Sequence, residues 1–343
     1  MNILIIGGTG FIGTYVLKHL LENGHNIEVF HRGQTETKMS SAVHHIYGDR
    51  KELTAFVSDF KEFAPDIVLD MIPYVEQDAV TLMNTFRGIA ERVVAISSMD
   101  VYAAYGRFRR SEKGEPELAP FDENAPLRST LYPYRDLAQS FDDMLYHYDK
   151  IPVERVVMSD KELPGTVLRL PCVYGVGDKY HRTFEYVKRM DDGRSAILLG
   201  EGKAQWRWTR GYVENVAAAI MLAVTNEQAA NRIYNVGEAE ALTEAEWVRE
   251  LGLAAGWNGD IIAAPEAIPP KHLAEDYDYR HNLAADTSRI RRELGDDEPV
   301  SHEEALKRTV AWDRNAPPKE VSTERFDYAA EDAALIKTGR PSK

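Results

Sequence analysis

The N-terminal glycine turn constrains the fold more than any other feature of the chain. An apolar run, Asn2–Ile6, leads directly into Gly7-Gly8-Thr9-Gly10-Phe11-Ile12-Gly13. A helical pattern over Phe11–Asn23 follows, Gly24-His25 marks its end, and a second apolar run covers Ile27–His31. Strand, tight turn, helix and strand in that order predict a βαβ unit, which requires parallel strands with both sheet faces covered. In this context the glycines have separate tasks. Gly7 permits the tight turn, Gly10 lets backbone approach a bound group, and Gly13 lets the helix pack closely on the sheet. The helix beginning at Phe11 aims its free N–H groups and positive dipole end into the turn, where a pyrophosphate is stabilised. Gly7, Gly10, Phe11, Ile12 and Gly13 are therefore candidate dinucleotide contacts.

Further apolar runs at Val43–Tyr47, Asp66–Leu69, Arg92–Ile96 and Thr166–Leu170 alternate with helical or loop segments. This predicts an α/β fold, a Rossmann-like doubly wound parallel sheet with a smaller mixed α/β substrate lobe. The dinucleotide-binding part is expected over 1–175, with 211–236 returning to it, and the interleaved lobe over 176–315. Within that second half, helices are predicted over Tyr180–Met190, Val213–Val224 and Thr243–Ala255, and strands over Ala196–Leu199 and Arg232–Val236. Ser301 followed by Glu304 reads as a capping box opening a helix over Glu303–Arg314, and 316–343 reads as a C-terminal tail. Between 103 and 135 the charged, proline-containing sequence predicts a long surface excursion able to act as a lid.

Composition excludes several classes of function. With 44% hydrophobic and 28% charged residues over 343 positions, the chain can bury a core of two lobes rather than remain disordered. No apolar stretch approaches membrane-spanning length and the N-terminus lacks a signal-peptide pattern, so a cytoplasmic protein is expected, with no membrane partner. A net charge of −14 disfavours nucleic acid as a partner. The single cysteine, Cys172, reads as a buried core thiol. No metal site is expected, because His44 and His45 point to opposite faces of a strand and His302-Glu303 lacks a nearby second histidine. The expected partners are a small-molecule substrate and a second copy of the chain in a homodimer.

The end of the second strand bears on cofactor choice. A fold selecting NAD usually ends this strand with an acidic residue for the ribose hydroxyls, whereas this one reads Phe30-His31-Arg32-Gly33. His31 and Arg32 remove repulsion toward a 2′-phosphate and supply a planar cation, so NAD(P) is expected with NADP favoured over NAD.

Four segments in order carry a family resemblance: the glycine turn, Gly48-Asp49-Arg50, Ser97-Ser98-Met99-Asp100-Val101-Tyr102, and Leu168-Arg169-Leu170-Pro171-Cys172-Val173-Tyr174-Gly175. Together they resemble the extended short-chain dehydrogenase/reductases, specifically the NAD-dependent epimerase/dehydratase family, of which this chain is an atypical member. The resemblance implies cofactor contacts from Asp49, Arg50, Pro171 and Val173, and a substrate-polarising Ser98 with Ser97 as its fallback. It also implies a Tyr-x-x-x-Lys pair, which Tyr146 and Lys150 fit, with Tyr134 in reserve. Helical spacing would put that pair on one face, where the ammonium favours a phenolate. Pro152 requires the helix to kink or to begin near Lys150. Ser98 and Tyr146 are farther apart than the resemblance implies, so the excursion reads as an insertion.

For the substrate, the resemblance implies arginines before Tyr212-Val213-Glu214-Asn215, making Arg207, Arg210 and Tyr174 candidate substrate contacts. Trp206 and Trp208 are equally suited to stacking on a ring or to packing. The implied function is an NAD(P)-dependent epimerase/dehydratase-like oxidoreductase acting on a sugar-like, nucleotide-sugar type substrate. The alternatives are an NADPH-dependent carbonyl reductase of the same family and a non-catalytic dinucleotide-binding protein.

Overall fold

The computed structural model describes residues 1–35 and 43–339. Seven strands form one parallel sheet: β1 (Asn2–Ile6), β2 (Asn26–His31), β3 (His44–Tyr47), β4 (Ile67–Asp70), β5 (Arg92–Ser98), β6 (Gly165–Leu170) and, far along the chain, β10 (Arg232–Asn235). Their spatial order is β10-β6-β5-β4-β1-β2-β3. The order reverses at β1, which pairs with β2 on one side and β4 on the other. A crevice therefore opens beyond the carboxyl end of β1, where the glycine turn begins.

The sequence of β1 shows why both faces are covered. Ile3 and Ile5 belong to the core shared with helices Phe11–Glu22 and Val213–Thr225, while Leu4 and Ile6 join Leu82, Phe86, Val153 and Val157 on the other face. All four β1 side chains are fully buried, each worth roughly 1.5–3 kcal/mol of transfer free energy. Helix Val213–Thr225 packs on Phe11–Glu22, and β10 hydrogen-bonds to β6. The smaller part contains two short parallel pairs, β7 (Cys172–Tyr174) with β9 (Arg210–Tyr212) and β8 (Ala196–Gly200) with β11 (Asp260–Ala264).

Four expectations are corrected. The helix predicted from Tyr180 begins at Phe184. The Asp178 carboxylate accepts from the Tyr180 and Arg182 N–H groups, and His181 takes a φ of +47°, so the segment is held as a turn. The C-terminal stretch is not simply a tail, because Tyr328–Lys337 is a helix. Its Ala334 and Leu335 pack on Leu198 and Ile262, and Glu331 pairs with buried Arg189 at 2.8 Å. The 103–135 excursion is only partly on the surface, since it contains helix Ala103–Phe108 and buries Phe108 and Phe121 in an aromatic cluster. Cys172 faces a cavity rather than the core, and burial pushes its thiol up to about 11, so it stays protonated.

Candidate functional site

At the crevice, Gly7 and Gly8 adopt φ values of +88° and +81°, a region that disfavours any side chain. A Cβ on Gly13 would lie 2.4 Å from the Gly8 backbone, so only glycine allows the first helical turn to approach the preceding loop. Gly10, the N-cap of helix Phe11–Glu22, instead faces open space. The backbone thus forms a cradle with an unobstructed mouth, bordered by the unpaired N–H groups of the first turn. It opens into a cleft of about 730 Å³ lined by Gly7 to Gly10, His31, Arg32, Asp49, Arg50, Tyr74 and, across the mouth, Asp142, Asp143, Met144 and His147. Size and donor geometry fit a dinucleotide.

The other candidate cofactor contacts divide. Phe11 and Ile12 stand at the helix start, with the Phe11 ring beside Gly177. Asp49 caps the following turn by accepting from Lys51 N–H at 2.9 Å. Arg50 lines the cleft, but its guanidinium is held by Asp70 at 2.9 Å and by Asp78 at 3.0 Å, which makes it a wall-building residue. His31 hydrogen-bonds His45 at 2.9 Å, and burial together with His45 lowers its pKa. Among the described residues lining the cleft, Phe11, Ile12, Gly13, Pro171 and Val173 are absent; Pro171 packs near Gly211 and Gly237, and the Val173 carbonyl accepts from Arg182 at 3.1 Å.

Next to the cleft lies a polar cluster built at the end of β5. Ser98 terminates the strand and its hydroxyl accepts from Asp100 N–H at 3.2 Å. The fallback Ser97 points away, donating to Glu154 at 2.5 Å within a buried ion pair of Glu154 with Arg169. Lys150 is buried, and its ammonium donates to the carbonyls of Pro73 and Ile96 at 2.8 and 2.9 Å. Burial lowers its pKa to about 8, against the raising influence of Asp70 and Asp100.

Tyr146 does not share a helix face with Lys150, which corrects the expected pair. Tyr146 belongs to the single turn Met144–His147, whereas Lys150 is the first residue of helix Lys150–Ser159. Asp149 caps that second helix through Ile151 N–H at 2.9 Å, and Pro152 occupies its first turn, where no backbone donor is needed. The break rotates Tyr146 outward, where its ring lies on Arg135 and Phe141.

Tyr148 and Tyr74 instead flank Lys150, with ring centres 5.9 and 4.9 Å from the ammonium nitrogen. The Tyr148 hydroxyl donates to Asp100 Oδ2 at 3.0 Å, and so does the reserve candidate Tyr134. Burial, followed by the Asp100 carboxylate, holds the Tyr148 phenol well above its ordinary pKa, while the neighbouring Ser98 acts in the opposite direction. Burial also raises the Asp100 carboxyl, opposed first by Arg128. The other oxygen of Asp100 is buried without a hydrogen-bond partner among the described residues. Tyr148 and Asp100 escaped the sequence reading because a four-residue rule presumes one continuous helix. The available signal was the capping Asp149 ahead of Lys-Ile-Pro.

Beyond Tyr134 lies a second cavity of about 420 Å³. Its lining includes Tyr105, Tyr174, Trp206, Trp208, Trp247 and Arg210. Tyr174 donates to Glu238 at 2.7 Å, and Arg210 pairs with Glu244 at 2.5 Å. Trp206 stacks on Phe108 with ring centres 4.8 Å apart, and Trp208 donates to Tyr105 at 3.0 Å, so both tryptophans pack and line the cavity at once. Arg207 does not reach the cavity. It donates to the Ala241 carbonyl at 2.8 Å and approaches Glu246 at 3.6 Å, because neighbours on an extended segment point apart. Arg109, from the basic run Arg107-Phe108-Arg109-Arg110 that the sequence marks as able to contact an anion, also lines the cavity, as does Arg182, which had no such signal.

Among the described residues, no group of three or more histidine, cysteine, aspartate or glutamate side chains is placed to hold a metal, and no helix is long and apolar enough to cross a membrane.

Three known proteins bear on this arrangement. The 2'-dehydrokanamycin reductase of Streptomyces kanamyceticus is 24% identical over 84% of this chain and 75% of its own length. The chloroplast stem-loop binding protein of 41 kDa b of Arabidopsis thaliana is 24% identical over 71% of this chain, which spans 60% of that protein. The crystal structure of dTDP-glucose 4,6-dehydratase from Bacillus anthracis in complex with NAD superposes with a TM-score of 0.67 at 18% identity, covering 92% of this chain and 97% of that one. At that identity the superposition speaks for the fold. The sequence model of the NAD dependent epimerase/dehydratase family matches residues 3–237, and the chain belongs to that family.

Proposed function

We propose that the protein is an NAD(P)-dependent oxidoreductase that interconverts a hydroxyl and a carbonyl on a sugar-like substrate, with Tyr148 as the proton-transferring group. The observation that carries this reading is the chain of side-chain contacts that links the cleft to the aromatic cavity. Tyr74 lines the cofactor cleft and flanks Lys150, and Tyr134 lines the aromatic cavity while sharing Asp100 with Tyr148. A dinucleotide in the cleft and a ring in the cavity would meet at Ser98 and Tyr148.

The glycine cradle and the first helical turn would hold the pyrophosphate, and Arg32 at the cleft edge favours a 2′-phosphate. The nicotinamide supplies hydride donation or acceptance when bound. Ser98 orients the substrate oxygen. In the reducing direction the Tyr148 hydroxyl gives its proton to that oxygen, and the Lys150 ammonium stabilises the phenolate left behind. Asp100 aims the phenol and, as a neighbouring carboxylate, holds its proton in place until that oxygen arrives. Aromatic walls suit the apolar face of a sugar ring or a base, which supports a nucleotide sugar as one form of the substrate.

A carbonyl reductase is the second reading, supported by the reductase relative spanning most of the chain. A non-catalytic binding role, suggested by the stem-loop binding relative, fits poorly with a lysine buried beside two tyrosines and with the net charge of −14. The deciding experiment follows NADPH and NADH absorbance with a panel of keto-sugars and nucleotide sugars, alongside analysis of sugar products. Substrate-dependent cofactor oxidation, or sugar interconversion on added NAD(P), is expected. Tight cofactor binding with neither would overturn the catalytic reading.

A further inference from the structure

We propose that Arg109 is a specificity-determining residue that holds an anionic group of the substrate, a carboxylate or a phosphate, close to the reacting carbon. The inference rests on the reading of the aromatic cavity as the substrate site. Four cations line that cavity: Arg109, Arg182, Lys203 and Arg210. Three are neutralised by carboxylates, Arg182 by Asp178 at 2.6 Å, Lys203 by Glu275 at 2.6 Å and Arg210 by Glu244 at 2.5 Å.

Arg109 differs. Among the described residues it has no carboxylate partner, and its Nε is buried with no acceptor. Its guanidinium lies instead over the face of Tyr134, 4.8 Å from the ring centre. Arg109 is half-buried, and burying its Nε donor without an acceptor is unfavourable, a loss of which a ring face returns only part. Its planar fork of donors matches a carboxylate or phosphate. An anion from the substrate would complete the site.

Position narrows the chemistry. Arg109 stacks on Tyr134, and the hydroxyl of that same ring bonds the Asp100 oxygen shared with Tyr148. The Tyr134 ring, whose centre is 5.3 Å from that of Tyr148, connects Arg109 to the proton-transferring phenol. The substrate class is thus a sugar bearing its negative charge on or next to the ring. Arg109 belongs to the 103–135 segment and not to the Arg207 and Arg210 stretch, so this contact is an addition made by the inserted sequence.

Trp206, Trp208 and Trp247 line the cavity, so their fluorescence reports occupancy. The test titrates the full chain with glucuronate, glucose 1-phosphate and uncharged glucose, the first two separating a carboxylate from a phosphate as the anion. At least one anion is expected to quench saturably and more tightly than glucose. Arg109→Gln should weaken that binding about tenfold or more, and Arg109→Lys should restore part of it. Glucose binding as tightly as both anions, no saturable quenching by either anion, or Arg109→Gln binding as wild type would each overturn the proposal. Tyr148→Phe should bind the anions normally. Loss of catalysis in that variant with anion binding unaffected by Arg109→Gln would therefore retain the proposed function and reject this inference.

Discussion

The hydroxyl of Tyr148 donates to Asp100 Oδ2 at 3.0 Å, the oxygen that also accepts from Tyr134. One carboxylate thereby fixes the phenol beside Lys150 and ties it to the wall of the aromatic cavity. Side-chain contacts thus link the cavity wall at Tyr134, through Asp100, Tyr148 and the buried Lys150, to Tyr74 on the cleft wall.

Gly13→Ala should weaken dinucleotide binding. Its Cβ would sit 2.4 Å from Gly8 backbone, which cannot move aside without opening the cradle. Fluorescence titration with NADPH should show affinity reduced by about tenfold or more, and the melting temperature should fall by an amount equivalent to about 1–3 kcal/mol. Gly10→Ala, whose Cβ meets only open space, should keep its melting temperature and lose affinity alone.

Arg32→Ala tests cofactor choice. Arg32 lines the cleft at the end of β2, where a carboxylate would repel a 2′-phosphate. Calorimetric titration should show NADP affinity falling by about fivefold or more while NAD affinity is unchanged. Equal losses for both would assign Arg32 a role unrelated to the phosphate.

Lys150 predicts a pH-dependent stability difference. Burial lowers its pKa to about 8 from 10.5, so below pH 8 the ammonium is charged in both folded and unfolded chains and the folded state bears the full desolvation cost. Between about pH 8 and 10 the folded lysine releases its proton while the unfolded one keeps it, and the cost is relieved. Relative to Lys150→Met, the wild type should therefore gain up to about 3 kcal/mol across this range. Urea midpoints at successive pH values measure the difference, and a flat difference would show an unshifted lysine.

Much of the fold was legible because its signals are local. Asn2–Ile6, the glycine turn and the apolar runs define strands and helix starts without reference to distant contacts, and the structure reproduces them to within one or two residues. Family order singled out Ser98 and Lys150 as candidates, and the structure places both beside Tyr148. Tyr148 was not, because a capping aspartate and a first-turn proline start a new helix at Lys150 and reset which side chains face it. Arg207 was misplaced because alternation along an extended segment depends on register. The helix Tyr328–Lys337 was missed because it is held by distant partners, Arg189 and Ile262, rather than by its own amphipathic pattern.

The assignment of proton transfer to Tyr148 rather than Tyr146 is tested most directly by the turnover number of the two phenylalanine variants, measured with the substrate that gives the fastest wild-type reaction. Tyr148→Phe should lower kcat by about 100-fold or more with dinucleotide affinity unchanged, and Tyr146→Phe should stay within about twofold of wild type. A large loss in Tyr146→Phe with near-normal turnover in Tyr148→Phe would contradict it.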